Sequence, residues 1–158
     1  MDYEIVEAKL EEKDKLYRLL QYALYDGSFY VDNEINENCI FEYNWFDNYF
    51  SDNDRNAYFI KNNKNFLGMV LVNENLKFNK EGKSVAEFLI MPIYRRNHIG
   101  QRVAHDIFNM FPGFWEVQPM ANNPVAYSFW KNVINEYTNG NYIIKNDGGE
   151  DVFIFNTK

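Results

Sequence analysis

The most informative stretch of the sequence is IMPIYRRNHIGQ, residues 90–101. A nearly continuous apolar run at residues 85–91 leads into it and is typical of a central strand covered on both faces. Apolar residues then recur with helical spacing over residues 99–111, before a Pro-Gly pair; they are Ile99, Val103, Ile107 and Phe111. The stretch is therefore predicted to be a basic turn that joins a buried strand to a helix.

This turn has the features of a binding site for a phosphate group. The first backbone N–H groups of a helix have no partner within it, and the helix dipole adds partial positive charge there. Arg95, Arg96 and Arg102 can add charge-assisted bonds, and Gly100 lets an anion approach the backbone. Residues 88–105 contain no acidic residue. The alternative interpretation is a basic surface turn that binds no ligand.

The other elements predict a mixed α/β sheet within one domain, residues 1–158. The predicted strands are residues 3–8, 57–61, 66–72, 85–91, 114–117, 142–145 and 152–155. The predicted helices are residues 14–26, a short one within 29–50, 99–111 and 124–137, the last with Asn123 as its N-cap and Pro124 at its first position. The strand–helix–strand order across residues 85–117 requires one parallel pair in a mostly antiparallel sheet.

Composition excludes several classes of protein. A net charge of −7 disfavours binding to nucleic acid. No apolar run approaches the roughly 18 residues of a membrane span, and the first residues lack the pattern of a leader peptide. The single cysteine, Cys39, rules out an internal disulfide, fits a cytoplasmic location and is expected to be buried. Two histidines and one cysteine without ligand-like spacing predict no metal site.

Two stretches together resemble the GNAT family of N-acetyltransferases. The acetyl-coenzyme A motif of that family, Gln/Arg-x-x-Gly-x-Gly/Ala between a strand and a helix, is similar to RRNHIG at residues 95–100, with His98 at the first glycine position. The stretch NPVAYSFW, residues 123–130, resembles the Asn-x-x-Ala-x-x-aromatic-aromatic element of the family, with Trp130 where a tyrosine is frequent. The likeness is sharpest over residues 85–130, and residues 129–138 are similar to a bacterial branch of predicted acetyltransferases.

The resemblance implies that the strands at residues 85–91 and 114–117 splay apart around acetyl-coenzyme A. It assigns the cofactor to the backbone near Ile90 and Met91, to the turn after them and to two residues at the helix predicted over residues 124–137. The turn residues are Arg95, Arg96, Asn97, His98, Ile99, Gly100 and Gln101. The two residues at the later helix are Asn123 and Trp130. The acceptor would be an amine, and a small cationic one is favoured. The protein would act as a monomer or a homodimer.

Three residues are candidate catalytic groups. Glu87 is the only carboxylate on the central strand and would accept a proton from the amine, although a structural pairing with a basic residue is an equal alternative. Trp130 can donate a hydrogen bond but cannot supply a proton near neutral pH. Tyr127, or a water molecule, would then protonate the departing thiolate.

Two further interpretations stay open at this stage. The tryptophan at position 130 favours an acyl-coenzyme A sensor with little or no transferase activity. A nucleotide-binding protein is the other, and the absence of Gly-x-x-x-x-Gly-Lys-Ser/Thr and Gly-x-Gly-x-x-Gly motifs speaks against it. Residues 29–50, which are both aromatic and acidic, are expected to form part of the wall around the acceptor.

Overall fold

Seven strands form one mixed sheet, in a computed structural model that describes residues 1–158. The strands are β1 (Glu4–Glu7), β2 (Asn56–Asn62), β3 (Asn65–Asn73), β4 (Lys83–Ile90), β5 (Phe114–Val117), β6 (Ile143–Asp147) and β7 (Glu150–Asn156). The helices are α1 (Lys13–Gly27), α2 (Ile99–Met110) and α3 (Pro124–Thr138), with short 3₁₀ turns at Leu10–Glu12, Asp47–Phe50 and Pro92–Tyr94. No helix is both long enough and apolar enough to cross a lipid bilayer.

The strands lie in the order β1-β2-β3-β4-β5-β7-β6, and only the β4–β5 pair is parallel. This confirms the predicted mixed sheet with one parallel pair. The parallel pairing covers just two rows, Lys83 with Trp115 and Ser84 with Glu116. Beyond Ser84 the two strands diverge, and helix α2 connects the end of β4 to the start of β5.

Each face of the sheet packs against its own set of helices. Because side chains alternate along a strand, β3 sends Val70 and Val72 into the core under α2 and α3, and Met69 and Leu71 into the core under α1. The first core is aromatic at its centre, where Phe108 and Trp115 meet with ring centroids 5.0 Å apart. The apolar run that predicted β4 as a central strand is thus explained by packing on both faces, although only Leu89 and Ile90 of β4 are fully buried.

The predicted short helix within residues 29–50 is wrong, because only a four-residue 3₁₀ turn, Asp47–Phe50, forms there. The side chain of Asn36 accepts hydrogen bonds from the backbone N–H groups of Asn38 and Ile40, at 2.9 and 3.2 Å, and such local bonds compete with helix formation. Cys39 and Trp45 also adopt positive φ angles of 60° and 67°, which no α-helix contains.

Cys39 is exposed, so the expectation that it is buried is also wrong. The segment that carries it packs on the sheet through later aromatic residues instead, chiefly Phe46 and Tyr49, both buried against α1 and the sheet. The thiol lies in the polar part of the segment.

Gly68 sets the spacing between β3 and β4. A Cβ atom at this position would lie 1.8 Å from the carbonyl oxygen of Leu89, and that oxygen belongs to the backbone and cannot rotate away. We expect Gly68→Ala to lower the free energy of unfolding by about 2–3 kcal/mol, because the strands would have to separate. Urea unfolding measures the change. Asn65→Ala, an exposed position on the same strand, is the control and should stay within about 0.5 kcal/mol of the parent. An unchanged midpoint for Gly68→Ala would contradict the close approach.

Candidate functional site

The divergence of β4 and β5 opens a cleft of about 700 Å³. One wall is residues 85–90 of β4, and the opposite wall is the end of β5 with Val117 and Gln118. Three helix ends complete it: the C-terminal end of α1 with residues just after it, the turn before α2, and the first turns of α3. The cleft therefore brings together the two stretches singled out in the sequence, which are 23 or more residues apart along the chain.

The turn before α2 presents a row of free backbone donors to this cleft. The first helical hydrogen bond runs from the N–H of Arg102 to the carbonyl of His98, at 3.1 Å. None of the N–H groups of residues 96–101 donates to a turn, loop or side-chain acceptor, and Arg96 and Gly100 line the cleft. Such a row at a helix N-terminus suits a phosphate or diphosphate group.

His98 occupies a backbone position that suits glycine. Its φ angle is 57°, in the left-handed region, and Arg96 two residues earlier has a φ of 65°. Glycine adopts such angles without the steric penalty of a Cβ atom, which gives a physical reason for the glycine found there in the resembling motif. The side chains of Asn97 and His98 are exposed, whereas Ile99 is buried in the core and can offer only its backbone.

Gly100 has a packing role as well as the predicted ligand role. A Cβ atom there would lie 3.3 Å from the ring of Phe129 on α3, a tight contact. The missing side chain therefore lets the first turn of α2 pack close to α3 at the edge of the cleft. Gln101, next along the helix, donates from its side chain to the carboxylate of Glu136 on α3.

The three arginines of the turn differ in what they can bind. Arg95 donates from Nε to the carbonyl of Ile90 at 2.7 Å and from Nη2 to Asp26 at 2.5 Å. Arg102 donates to the carbonyl of Met1 at 2.6 Å and lies away from the turn. Arg96 is exposed, lines the cleft and forms no salt bridge, so it is the arginine free to contact an anion.

The backbone of β4 divides its donors between β3 and the cleft. The N–H of Met91 donates to Leu67 at 2.7 Å, so it is engaged with β3 and is not open to a ligand. In an antiparallel ladder the alternate residues point the other way, which directs the backbone groups of Ile90 and Phe88 into the cleft. The carbonyl of Ile90 meets Arg95 there, and its N–H is directed at the cleft.

Glu87 is half-buried on β4 and lines the cleft. No lysine or arginine forms a salt bridge with it, so the structural pairing considered from the sequence is not observed. Burial disfavours its charged form and raises its pKa to about 7, and a hydrogen bond with Tyr43 partly opposes that shift. A carboxyl group that titrates near neutral pH can both accept and return a proton.

Sequence reasoning missed Tyr43 as a neighbour of Glu87. The pKa of Tyr43 is raised by burial and by the nearby Glu87 carboxylate, and Tyr49 beside it accepts a hydrogen bond from Asn73 at 3.3 Å. The signal was the aromatic and acidic composition of residues 29–50, from which Phe29 and Tyr30 also line the cleft. The sequence therefore indicated the whole segment as part of the wall around the acceptor, but it did not indicate Tyr43 in particular.

Asn123 and Trp130 both lie in the cleft wall. The Asn123 side chain accepts a hydrogen bond from the N–H of Ala126 at 3.0 Å, which confirms the predicted N-cap. Trp130 packs edge-on against Phe88, with ring centroids 5.1 Å apart. The indole N–H of Trp130 has no hydrogen-bond acceptor within the chain, and its nitrogen keeps some exposure to solvent. It can therefore donate to a group in the cleft.

Tyr127 is not brought into the cleft. Its hydroxyl donates to Asp151 on β7 at 2.8 Å, and this hydrogen bond is the main cause of its raised pKa. A tyrosine bound in this way holds its proton more tightly and lies among residues that do not line the cleft. This placement does not support it as the acid.

Glu116 is a second residue that the sequence did not point out. It is buried on β5, and its two carboxylate oxygens accept backbone hydrogen bonds from Lys77, Phe78 and Asn79 at 2.6–3.0 Å. These bonds fix the loop before β4 at the closed end of the cleft, where Ser84 pairs with Glu116.

No protein-family model matches the sequence, and no curated protein matches it either. Solved structures do match it. An acetyltransferase from Thermus thermophilus aligns with a TM-score of 0.74 at 11% identity, over 99% of this chain and 97% of that one. The PaiA N-acetyltransferase from Thermoplasma acidophilum, in complex with coenzyme A, aligns with a TM-score of 0.62 at 14% identity, over 99% of both chains.

The GNAT domain of S. lividans PAT aligns with a TM-score of 0.63 at 10% identity, over 96% of this chain and 89% of that one. Likeness at such low identity concerns the fold. The chain has the mixed-sheet fold of GNAT acetyltransferases, which confirms the fold implied by the sequence resemblance.

The raised pKa of Glu87 predicts a specific dependence of stability on pH. Between its reference pKa of 4.5 and about 7, the folded chain holds a proton that the unfolded chain has lost, so stability falls as pH rises through this window. Glu87→Gln is neutral throughout. We therefore expect its free energy of unfolding, relative to the parent, to rise by about 2–3 kcal/mol from about pH 4.5 to about pH 8. Urea unfolding at both pH values measures it. Glu81→Gln, an exposed carboxylate outside the cleft, should show no such rise, and a flat difference for Glu87→Gln would contradict the assigned burial.

Proposed function

We propose that this protein transfers the acetyl group of acetyl-coenzyme A to an amine in the cleft between β4 and β5. The observation that carries the proposal is the meeting of two features in one cleft: the open N–H groups of residues 96–101 at one end and the half-buried Glu87 on its wall. An anion site joined to a titratable carboxyl by a gap between strands suits a long ligand with a diphosphate and a reactive end.

The chain supplies a place for each part of that ligand. The diphosphate would rest on the backbone donors after Arg95, with Arg96 adding charge. The pantetheine arm would run between the diverged strands and bond to the backbone of Ile90 and Phe88, as an added strand does. Asn123 and Trp130 would border the arm, and the thioester would lie beside Glu87. The likeness of fold to a protein solved with coenzyme A supports this placement.

The transfer then needs two proton movements. The amine arrives as an ammonium ion, and Glu87 accepts its first proton, which frees the nitrogen lone pair. The nitrogen attacks the thioester carbon, a C–N bond forms, and the C–S bond breaks. The second proton leaves the nitrogen, one proton reaches the coenzyme A thiolate from water or from protonated Glu87, and the other is released to solvent. The products are an amide and free coenzyme A thiol, and orientation within the cleft supplies much of the rate.

A sensor that binds acyl-coenzyme A without turnover is the second candidate. It is favoured by Trp130, which cannot supply a proton to the thiolate, and by the position of Tyr127 outside the cleft. Against it, a sensor has no need of a carboxyl group without a counter-charge on the cleft wall. Turnover separates the two candidates, since both bind coenzyme A.

Arg96→Glu tests the anion site. Reversing this charge at the open end of α2 should raise the dissociation constant for coenzyme A by about tenfold or more, since a repulsion replaces an attraction at the diphosphate. Isothermal titration calorimetry at moderate salt measures the constant. Arg18→Glu makes the same change of charge at an exposed position on α1 and should leave binding within about twofold. If the parent protein binds no coenzyme A, both candidate functions fail.

Glu87→Gln tests the chemistry. We expect it to lower kcat/KM for acetyl transfer by about 10²–10⁴-fold, the usual contribution of a general base, with little change in the dissociation constant of acetyl-coenzyme A. In the parent, kcat/KM should rise with pH through about 7 as Glu87 ionises, and this limb should vanish in the variant. A thiol-release assay measures both, with Glu81→Gln as the control. Tight binding without turnover by the parent would establish the sensor instead.

A further inference from the structure

Among the charged groups of the cleft, a single carboxylate has no cationic partner. Four charged residues line it: Asp26, Glu87, Arg95 and Arg96. Asp26 is already bound to Arg95 at 2.5 Å, and Arg95 is held in turn by the carbonyl of Ile90. This ion pair is half-exposed and adds little stability, but it occupies the carboxylate. Glu87 is therefore the one negative charge that the cleft offers to a cation.

The rest of the cleft lining is mainly apolar and aromatic. Phe88 and Trp130 stack edge-on in the wall, and Phe29, Tyr30 and Met120 also line the cleft. Aromatic faces stabilise one ammonium group through cation–π attraction, and they also bury the hydrocarbon part of a ligand. They offer a second ammonium group no counter-charge.

Two contacts tie down the α1 side of the cleft. Gly27 lies so close to Met120 that a Cβ atom would be 2.7 Å from the methionine methyl group. Nearby, the Asn122 side chain donates to the carbonyl of Tyr30 at 3.4 Å. These contacts join the end of α1 to the connection between β5 and α3 beside the cleft.

We propose that the acceptor site selects primary amines with one ammonium group on an apolar body, such as alkylamines and arylalkylamines, over diamines and polyamines. This rests on the proposed acetyl transfer and goes beyond it by naming the acceptor class. The physical reason is desolvation. A second ammonium group drawn into an apolar cleft loses its water and finds no second carboxylate there.

A matched pair of amines tests this selectivity. Hexylamine and 1,6-diaminohexane have the same carbon chain and differ only in the second ammonium group. With acetyl-coenzyme A and the parent protein, kcat/KM for hexylamine should exceed that for the diamine by about tenfold or more, even though the diamine has twice as many reactive groups. Spermidine should be turned over less well than hexylamine, and 2-phenylethylamine at least as well.

Phe29→Glu supplies a second carboxylate at the mouth of the cleft. Phe29 is 72% exposed, so a polar side chain is tolerated there. The variant should lower the ratio of hexylamine to diamine kcat/KM by about fivefold or more, because the second ammonium group now has a partner. Phe29→Gln is the control: it removes the same ring without adding charge and should lower the ratio much less.

The outcomes separate this inference from the proposed function. Equal or better turnover of the diamine by the parent would overturn the selectivity and leave acetyl transfer standing. Equal ratios in Phe29→Glu and Phe29→Gln would overturn the charge argument. If acetyl-coenzyme A binds but none of the four amines is acetylated, the selectivity fails together with the enzymatic proposal.

Discussion

Only two residue pairs join β4 to β5. The cleft exists because the pairing of the two strands stops there. A parallel pair of strands normally satisfies the backbone of both along their full length. Here the ladder ends after Ser84 and Glu116, so the following residues of β4 have backbone groups that no strand accepts. Because a parallel connection needs a crossover, α2 begins at the open end of the same gap. One topological constraint therefore creates both an unpaired strand edge and a helix N-terminus beside it.

Hydrogen bonds at both ends of the cleft fix the positions of β4 and its neighbours. At the end where β4 and β5 pair, the buried carboxylate of Glu116 accepts hydrogen bonds from the backbone of the loop before β4. These bonds hold that loop against β5. At the open end, Arg95 ties the carbonyl of Ile90 to Asp26 on α1. Glu116 is buried and both of its oxygens accept hydrogen bonds, so it is the structural anchor, while the half-exposed Arg95 pair mainly determines which charges remain free.

What remains free gives the cleft its chemical character. Arg96 and the backbone donors make one end receptive to an anion, and Glu87 makes the wall receptive to a cation. Neither Arg96 nor Glu87 has an oppositely charged partner within the chain, whereas Asp26, Arg102 and Tyr127 are bound to other protein groups. Burial without a counter-charge is also what moves the pKa of Glu87 to about 7, where proton exchange is most useful.

The sequence by itself determined the strand–turn–helix around residues 90–101, the N-cap at Asn123 and the mixed sheet, because these follow from patterns within a few residues and from the order of elements. It also identified Glu87 as the carboxyl group to consider. The conformation of residues 29–50 could not be predicted from the sequence. Hydrogen bonds between side chains and the backbone, such as those to Asn36, outweigh the weak helical pattern there.

Only the tertiary structure decided which of the candidate groups are free. Arg95 meets Asp26 across 69 residues of chain, and Arg102 meets Met1 across 101. The hydroxyl of Tyr127 is bound by Asp151, and Tyr43 reaches Glu87 from a segment without regular structure. Local spacing carries no information on such contacts, because they form only when the sheet has brought distant parts of the chain together. The residue types of the site can thus be found in the sequence, whereas their pairing is a property of the fold.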